Sequence, residues 1–256
     1  MLKKRLIFTL LYMDGSFFLS RNFRLQKVGS RQWLLDNYNF QKTAKSIDEL
    51  IILDVSRDKR DLDSFLHCVA DITRNCFVPI ALGGGIRDLT HAESLIRHGA
   101  DKLVLNTSLM SCPSLILDLI SNFGSQSIIA SVDYKHDGTN NRVPYISYGQ
   151  EKLDLCLSKY LEYISSLGVG EILLNSIDRD GTGQGLDIDL IDAVPPFLSQ
   201  PIILSGGAGN GSHLLEGIKH PSVDAVATAN LFNFIDTGLS EARQYLIDFQ
   251  VPMAVW

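Results

Sequence analysis

The sequence holds little that would staple, anchor or metallate a protein. Its four cysteines, Cys68, Cys76, Cys112 and Cys156, form no CxxC pair and no metal-ligand spacing, which argues against a disulfide framework and fits reduced, mostly buried thiols. The six histidines (His67, His91, His98, His136, His213 and His220) form no HxxxH or similar pattern, so no metal and no other cofactor is expected. No cysteine sits in the glycine-flanked elbow that a glutaminase nucleophile needs. Lysine and arginine are scattered and the net charge is -6, which removes the basic patch that nucleic acid or an anionic membrane would require. The opening MLKKRLIFTLLYMDG puts basic residues before an apolar run, but that run is only about eight residues long and no small-residue cleavage site follows. With Met13-Asp14-Gly15 reading as a turn, the run is taken as the first strand of a cytoplasmic protein.

What is present is a repeated α/β pattern. A chain of 256 residues, 45% hydrophobic, can bury one large core, and the length suits a complete (β/α)8 barrel, typically about 250 residues. Short apolar runs bounded by turn residues, near 5–11, 49–54, 78–82, 102–106, 127–133, 171–176, 201–205 and 224–228, alternate with helical periodicity. The sequence also repeats itself at an offset of 122 residues. ELIILDVSRD at 49–58 matches EILLNSIDRD at 171–180, LGGGIRD at 82–88 matches LSGGAGN at 204–210, and LLYMDG matches VDYKHDG with one extra residue. Motifs sharing one offset predict a single domain, 1–256, made of two half-barrels of about 1–122 and 123–256.

In such barrels the chemistry sits where strands end, whereas strand starts serve stability. Gly84 and Gly85 close the third strand, and Ser205, Gly206 and Gly207 close the seventh. A Gly-Gly after a strand can be only a tight turn. Placed symmetrically, the two pairs predict phosphate cradles, because glycine lets the backbone approach an anion and the following helix offers free N–H groups. Asn106 and Thr107, and Thr228 to Asn230 (with Ala229), are candidate additional donors. Asp133 ends the fifth strand, where a carboxylate in low-dielectric surroundings serves as general acid or base, or orients a loop. Its mate at the same offset is Leu11. Arg5, Glu49, Lys102 and Glu171 each begin a strand and form either a salt-bridged plug or a gate.

Taken together, KRLI, LGGGIRD, HGADKLVLNTS, FGSQSIIASVD, GVGEILLNSIDRDGTGQGLD, LSGGAG and VPMAVW resemble the cyclase subunit of imidazole glycerol phosphate synthase, the HisF family, over essentially the whole chain. The likeness is to a divergent member, similar to the second HisF-like copies of surface-polysaccharide clusters. The resemblance implies a TIM barrel of the ribulose-phosphate-binding type that receives ammonia from a separate HisH-like glutaminase docked on the strand-start face. It implies as substrate a doubly phosphorylated ribulosyl imidazole-carboxamide, or a related phosphorylated ligand, which is split and cyclised. By the same resemblance Arg5, Glu49, Lys102 and Glu171 are the ammonia gate and Asp133 is one of two catalytic aspartates. Asp180, Gly181, Thr182, Gly84, Gly85, Gly206 and Gly207 are substrate and phosphate contacts.

The departures gather on one side of the mouth. Leu11 stands for the first catalytic aspartate, Leu19 for a phosphate-holding lysine and Asn175 for a threonine, and the loop after the fifth strand reads YGQEKLDL. A missing proton-transfer group costs about 10²- to 10⁴-fold in rate, which argues against full cyclase activity. Three readings follow. One is a cyclase in which Asp133 works alone or with Asp14 or Asp54. Another is an ammonia conduit and glutaminase activator serving a sugar amidotransferase. The last is a phosphosugar isomerase like the sister family, whose usual pair of carboxylates is also incomplete here.

Overall fold

A computed structural model describes residues 3–74, 76–139, 141–231, 233 and 237–254. Eight parallel strands form the wall: β1 Arg5–Met13, β2 Glu49–Asp54, β3 Ile80–Gly83, β4 Lys102–Leu105, β5 Ile128–His136, β6 Glu171–Ser176, β7 Ile202–Ser205 and β8 Ala225–Thr228. They pair in chain order, β8 returns to β1 (Arg5 opposite Ala225), and β5 pairs β6 (Glu171 opposite Ile129), so the sheet closes as a (β/α)8 TIM barrel.

Period-2 alternation divides the core into two layers. Each strand sends apolar side chains to the barrel axis: Ile7, Ile51, Ala81, Val104, Ile129, Leu173, Ile203 and, from β8, both Ala225 and Ala227. The alternate residues, such as Leu6, Phe8 and Leu10 on β1, pack outward in the layer beneath the helices. Both glycine motifs end in a helix cap. Asp88 accepts from the His91 N–H before helix Leu89–Arg97, and Asn210 accepts from the His213 N–H before helix Gly211–Ile218. That side-chain acceptor satisfies one of the orphan amides of each first turn.

Three features depart from a plain βα repeat. After β1 an antiparallel hairpin, Ser16–Arg21 with Arg24–Ser30, folds back with Leu11 opposite Phe18. After β5 a second excursion, Arg142–Ile146 and Glu151–Lys152, does the same. No α-helix follows β6 among the described residues; a 3-10 segment, Ile188–Ala193, takes its place. Three aspartates, Asp187, Asp189 and Asp192, are poor helix formers, and Pro195-Pro196 supply no N–H to continue a helix. The thiols also differ from expectation: all four are free, but only Cys68 and Cys76 are buried, while Cys112 is half-buried and Cys156 exposed. The last two precede helices Pro113–Phe123 and Leu157–Ser166 at their solvent-facing starts. No helix among the described residues is long and apolar enough to cross a membrane.

Candidate active site and its charged entrance

At the strand-start end the four charged residues close into a ring of alternating sign. Arg5 Nη1 donates to Glu49 Oε2 at 2.9 Å and Nη2 to Glu171 Oε2 at 2.8 Å, while Lys102 Nζ lies 2.8 Å from both glutamates. The two glutamates differ electrostatically. Burial pushes the Glu49 carboxyl above its ordinary range despite Lys102 and Arg5. Burial acts upward on Glu171 too, but the hydrogen bond and charge of Arg5, reinforced by Lys102, hold it below that range. Glu49 is only 1% exposed, and its Oε1 has no hydrogen-bond partner among the described residues. The apolar axial layer begins two residues further along each strand. On the same face, Phe77 before β3 and Phe197 before β7 stand 84% and 64% exposed, with Phe249 near the chain end at 48%.

At the other end a cavity of about 470 Å³ opens between the strand ends. Asp133 sits in its wall, held by Asn106 Nδ2 and Asn175 Nδ2, each at 3.1 Å. Burial pushes its carboxyl up to about 7, with the nearby Asp180 charge adding to the rise and the Asn175 hydrogen bond opposing it. Such a group is close to half protonated at neutral pH and can give or take a proton. Leu11, the mate of Asp133 in the sequence repeat, lines the same cavity from β1 and brings an isobutyl group to it. Of the other carboxylates near the β1 and β2 ends, Asp14 lies exposed in the turn after β1 (φ 47°) and lines neither cavity. Asp54 does reach the mouth, but it accepts from the Ser56 N–H at 2.9 Å and faces Arg60 Nε at 3.5 Å.

The glycine pairs sit where only glycine fits. At Gly84 (φ +112°) an added Cβ would meet the Asp54 carbonyl oxygen at 2.1 Å, and at Gly207 (φ +104°) it would meet that of Gly185 at 2.1 Å. Gly84, Gly85, Asn106 and Thr107 border the larger cavity. Ser205, Gly206, Gly207, Ala229 and Asn230 border a smaller one of about 210 Å³, together with Leu19, Asp180 and Gly181. Several predicted contact side chains are engaged within the protein. The Asn106 amide turns to Asp133 and the Ser131 carbonyl, Thr107 Oγ1 accepts from the Ser147 N–H, and Thr182 Oγ1 donates to the Arg179 carbonyl. Asp180 accepts from Ser20 Oγ and the Phe23 N–H, which fastens the first hairpin over the mouth. Gly181 allows that contact, since a Cβ there would lie 2.0 Å from the Ser20 carbonyl oxygen.

Sequence reasoning passed over Arg60 and Tyr148. The Arg60 guanidinium lies flat against Gly85, where an added Cβ would come within 2.4 Å of Cζ, and Nη2 donates to Tyr148 Oη at 2.7 Å. Arg57 and Arg60 both stack on the Tyr148 ring, at 5.8 and 6.0 Å from its centre. The only available signal was a pair of arginines just after the β2 end.

A family model described as "Histidine biosynthesis protein" matches residues 35–236. A protein of Parasynechococcus marenigrum (strain WH8102), "Putative imidazole glycerol phosphate synthase subunit hisF2", is 48% identical over 257 residues, covering 100% of this chain and 95% of its own. The imidazole glycerol phosphate synthase subunits HisF of Chlorobium limicola and Staphylococcus carnosus are each 34% identical, covering 99% and 97% of both chains respectively. The chain is a divergent member of the HisF family.

In this HisF-family barrel the two flanks of the mouth differ. Leu11 and Leu19 both belong to β1 and the hairpin strand it pairs with, and Leu19 lines the smaller cavity. Asp133 and the two asparagines that hold it come from β4, β5 and β6 and their ends. One flank of the mouth is polar and tightly hydrogen-bonded; the other is aliphatic.

Proposed function

We propose that this HisF-family barrel accepts ammonia from a HisH-like glutaminase docked on its strand-start face and delivers it to a phosphorylated ligand held across the mouth. The observation that carries this reading is the charged ring. Four side chains joined to one another ring the axial layer at its strand-start end. The exposed Phe77, Phe197 and Phe249 add apolar surface of the kind buried in protein interfaces. A plug needs no such surroundings. The gate reading requires the ring contacts to part and a small neutral molecule to cross the axial layer, where Ala81, Ala225 and Ala227 leave the least side-chain bulk. Free thiols at all four cysteines suit a cytoplasmic setting.

In the mouth, Asp133 serves as the one proton-transfer carboxylate, poised near neutrality and oriented by Asn106 and Asn175. With Leu11 opposite in the pair, cyclisation of the ribulosyl imidazole-carboxamide lacks one general acid or base, a deficit of about 3 to 5 kcal/mol in transition-state stabilisation. The same departure supports a second reading: a conduit that activates the glutaminase and passes ammonia to a sugar amidotransferase in surface-polysaccharide synthesis.

Steady-state cyclisation with saturating ammonium salt, run beside Leu11→Asp and beside glutaminase turnover in the reconstituted pair, separates the two. Glutaminase activation with cyclisation slowed by about 10²- to 10⁴-fold, and partly recovered in Leu11→Asp, is the expected result; activation with no cyclisation at all favours the conduit. Robust cyclisation by the native chain sinks the conduit reading. Failure to bind or activate any HisH-like glutaminase sinks the ammonia-accepting role itself.

A further inference from the structure

Asp133 meets two amides, and the two are not equally free. Asn106 is fixed in one orientation. Its Nδ2 donates to the Ser131 carbonyl at 2.9 Å and to Asp133 Oδ2 at 3.1 Å, and its Oδ1 accepts from Thr107 Oγ1 at 3.3 Å. A carbonyl oxygen only accepts, so turning this amide over would set two oxygens against each other at Ser131. Both hydrogens on Nδ2 are therefore engaged, and Asp133 Oδ2 faces an N–H whether the carboxyl is ionised or not.

Asn175 has no such anchor. It lies opposite Asp133 in the pairing of β5 with β6, and its Nδ2 donates to Asp133 Oδ1 at 3.1 Å. Its amide makes no other hydrogen bond among the described residues. Both side chains line the larger cavity, and Asn175 is half-buried there. An amide carries a donor nitrogen and an acceptor oxygen on one terminal torsion, which is broad and roughly two-fold. With Asp133 ionised, the nitrogen faces it; with Asp133 protonated, half a turn brings the amide oxygen round to accept the O–H.

We propose that Asp133 holds and exchanges its proton through Oδ1, and that Asn175 is the positioning residue that makes the exchange reversible by turning its amide. This rests on the reading of Asp133 as the proton-transfer carboxylate of the mouth, and it names the atom and the partner through which that carboxylate works. Leu11 brings only an isobutyl group to the cavity, so one carboxyl must give a proton to one ligand atom and take one back from another, ending each turnover as it began. A partner that serves the acid and the base form alike suits that double duty, whereas a fixed donor such as Asn106 serves only the base. The titratable groups that face Asp133 are Asp180, in the loop after β6, whose charge favours the protonated form, and Tyr160, on the helix Leu157–Ser166, which burial keeps as the phenol. Across the cavity stand Asp54, paired with Arg60, and the exposed Arg57 and Arg87.

Magnetic-resonance titration of the full chain without ligand, following the Asp133 carboxyl carbon together with the side-chain amide signals of Asn106 and Asn175, tests it. The Asn175 amide signals are expected to move with the same midpoint as the carboxyl while those of Asn106 stay nearly still. Asn175→Leu should raise the Asp133 midpoint by about one pH unit, a gain of about ten-fold in proton affinity, because a donor to the ionised form is worth more than an acceptor to the neutral one. Asn175→Thr, whose hydroxyl donates or accepts without an amide turn, should keep the proton affinity within about two-fold of native. Asn106 signals that follow the carboxyl while those of Asn175 do not would place the proton on Oδ2 and overturn the inference. A midpoint unmoved in Asn175→Leu would overturn it as well. If Asn175→Leu fails to fold, the native amide signals and Asn175→Thr decide the matter without it. No turnover enters these measurements, so the reading of Asp133 as the proton-transfer group is judged apart from them: cyclisation as fast in Asp133→Asn as in the native chain sinks that reading and leaves the assignment of the proton to Oδ1 standing.

Discussion

Glu49 and Glu171 begin strands 122 residues apart in the sequence repeat, share Arg5 and Lys102 as partners, and are nevertheless electrostatic opposites. Glu171 takes two hydrogen bonds from Arg5 and one from Lys102, which keep its pKa low against burial. Glu49 is more deeply buried and uses one oxygen for both cations, leaving the other unpartnered. A lowered carboxylate adds stability above its unfolded value and loses it as pH falls through the folded value; a raised one adds a cost that grows as pH rises. Glu171→Gln should therefore lower stability by about 2 kcal/mol at neutral pH, with the loss shrinking as pH falls and the native carboxyl takes up its proton. Glu49→Gln should cost less than half as much, because it also relieves a buried charge. Urea denaturation of both variants across pH measures this, and equal losses would contradict the asymmetry.

Asp133 makes a second pH-dependent prediction. Its folded pKa of about 7 lies above the unfolded value of about 3.9. The native state therefore holds a proton that the unfolded chain has released, and stability falls as pH rises from the lower value to the upper. Asp133→Asn removes that slope. The variant should gain on the native chain between about pH 4 and pH 7, and a carboxyl carbon resonance assigned to Asp133 should titrate with a midpoint near the folded value. A midpoint in the ordinary carboxylate range would mean that Asn106 and Asn175 compensate burial fully.

The C-terminal helix, Gly238–Asp248, is tied to the strand-start loops by a buried pair. Arg243 Nη1 and Nη2 meet Asp48 Oδ2 and Oδ1 at 2.9 and 3.0 Å, and Asp48 also accepts from the Leu6 N–H at 2.8 Å. The pair thus joins the last helix to the first two strands. Removing one partner strands a buried charge, which typically costs about 3 to 5 kcal/mol. Arg243→Met should show a loss of that size by thermal or urea unfolding, and the double change Asp48→Asn with Arg243→Met should recover part of it. A single-variant loss below about 1 kcal/mol would mean that the pair is not what fastens the helix.

How much of this was legible follows from which interactions are local. The eight strands show in the sequence because each is a short apolar run bounded by turn residues, and predicted and observed limits differ by at most three residues at any end, the β5 end being the widest gap. The glycine pairs and the ring residues were visible for a related reason, since strand ends and strand starts fix which face a residue serves. The two hairpins were hidden because their strands border the mouth and carry mixed polar and apolar residues such as RLQKVGS. Asp48 with Arg243 and Arg60 with Gly85 were hidden because each is a side-chain meeting set by barrel closure, with no periodic trace along the chain. Asp180 was read as a ligand contact, as the motif implies; its role as the anchor of the first hairpin needed the fold.

That anchor is open to direct measurement. Asp180 accepts from Ser20 Oγ and from the Phe23 N–H at 3.0 Å, while its carbonyl accepts from the Asn22 N–H at 3.0 Å. Asn22 Nδ2 also donates to the carbonyls of Ile177 and Asp178, and Arg57 Nη2 to that of Phe23. The hairpin is thus held by one carboxylate and a set of backbone acceptors. Asp180→Ala removes the first and leaves the second, so the hairpin should loosen without the barrel unfolding. Two hydrogen bonds to a charged, half-buried acceptor are worth about 1.5 to 3 kcal/mol each at most, with part recovered by the remaining contacts. Amide exchange at residues 16–30 should therefore accelerate by about 10- to 100-fold while the thermal midpoint moves little. Asp180→Asn, which keeps an acceptor oxygen, should fall between the variant and the native chain. Unchanged exchange in Asp180→Ala would show that the backbone contacts alone hold the hairpin; a large drop in the thermal midpoint would show instead that the hairpin and barrel unfold as one unit.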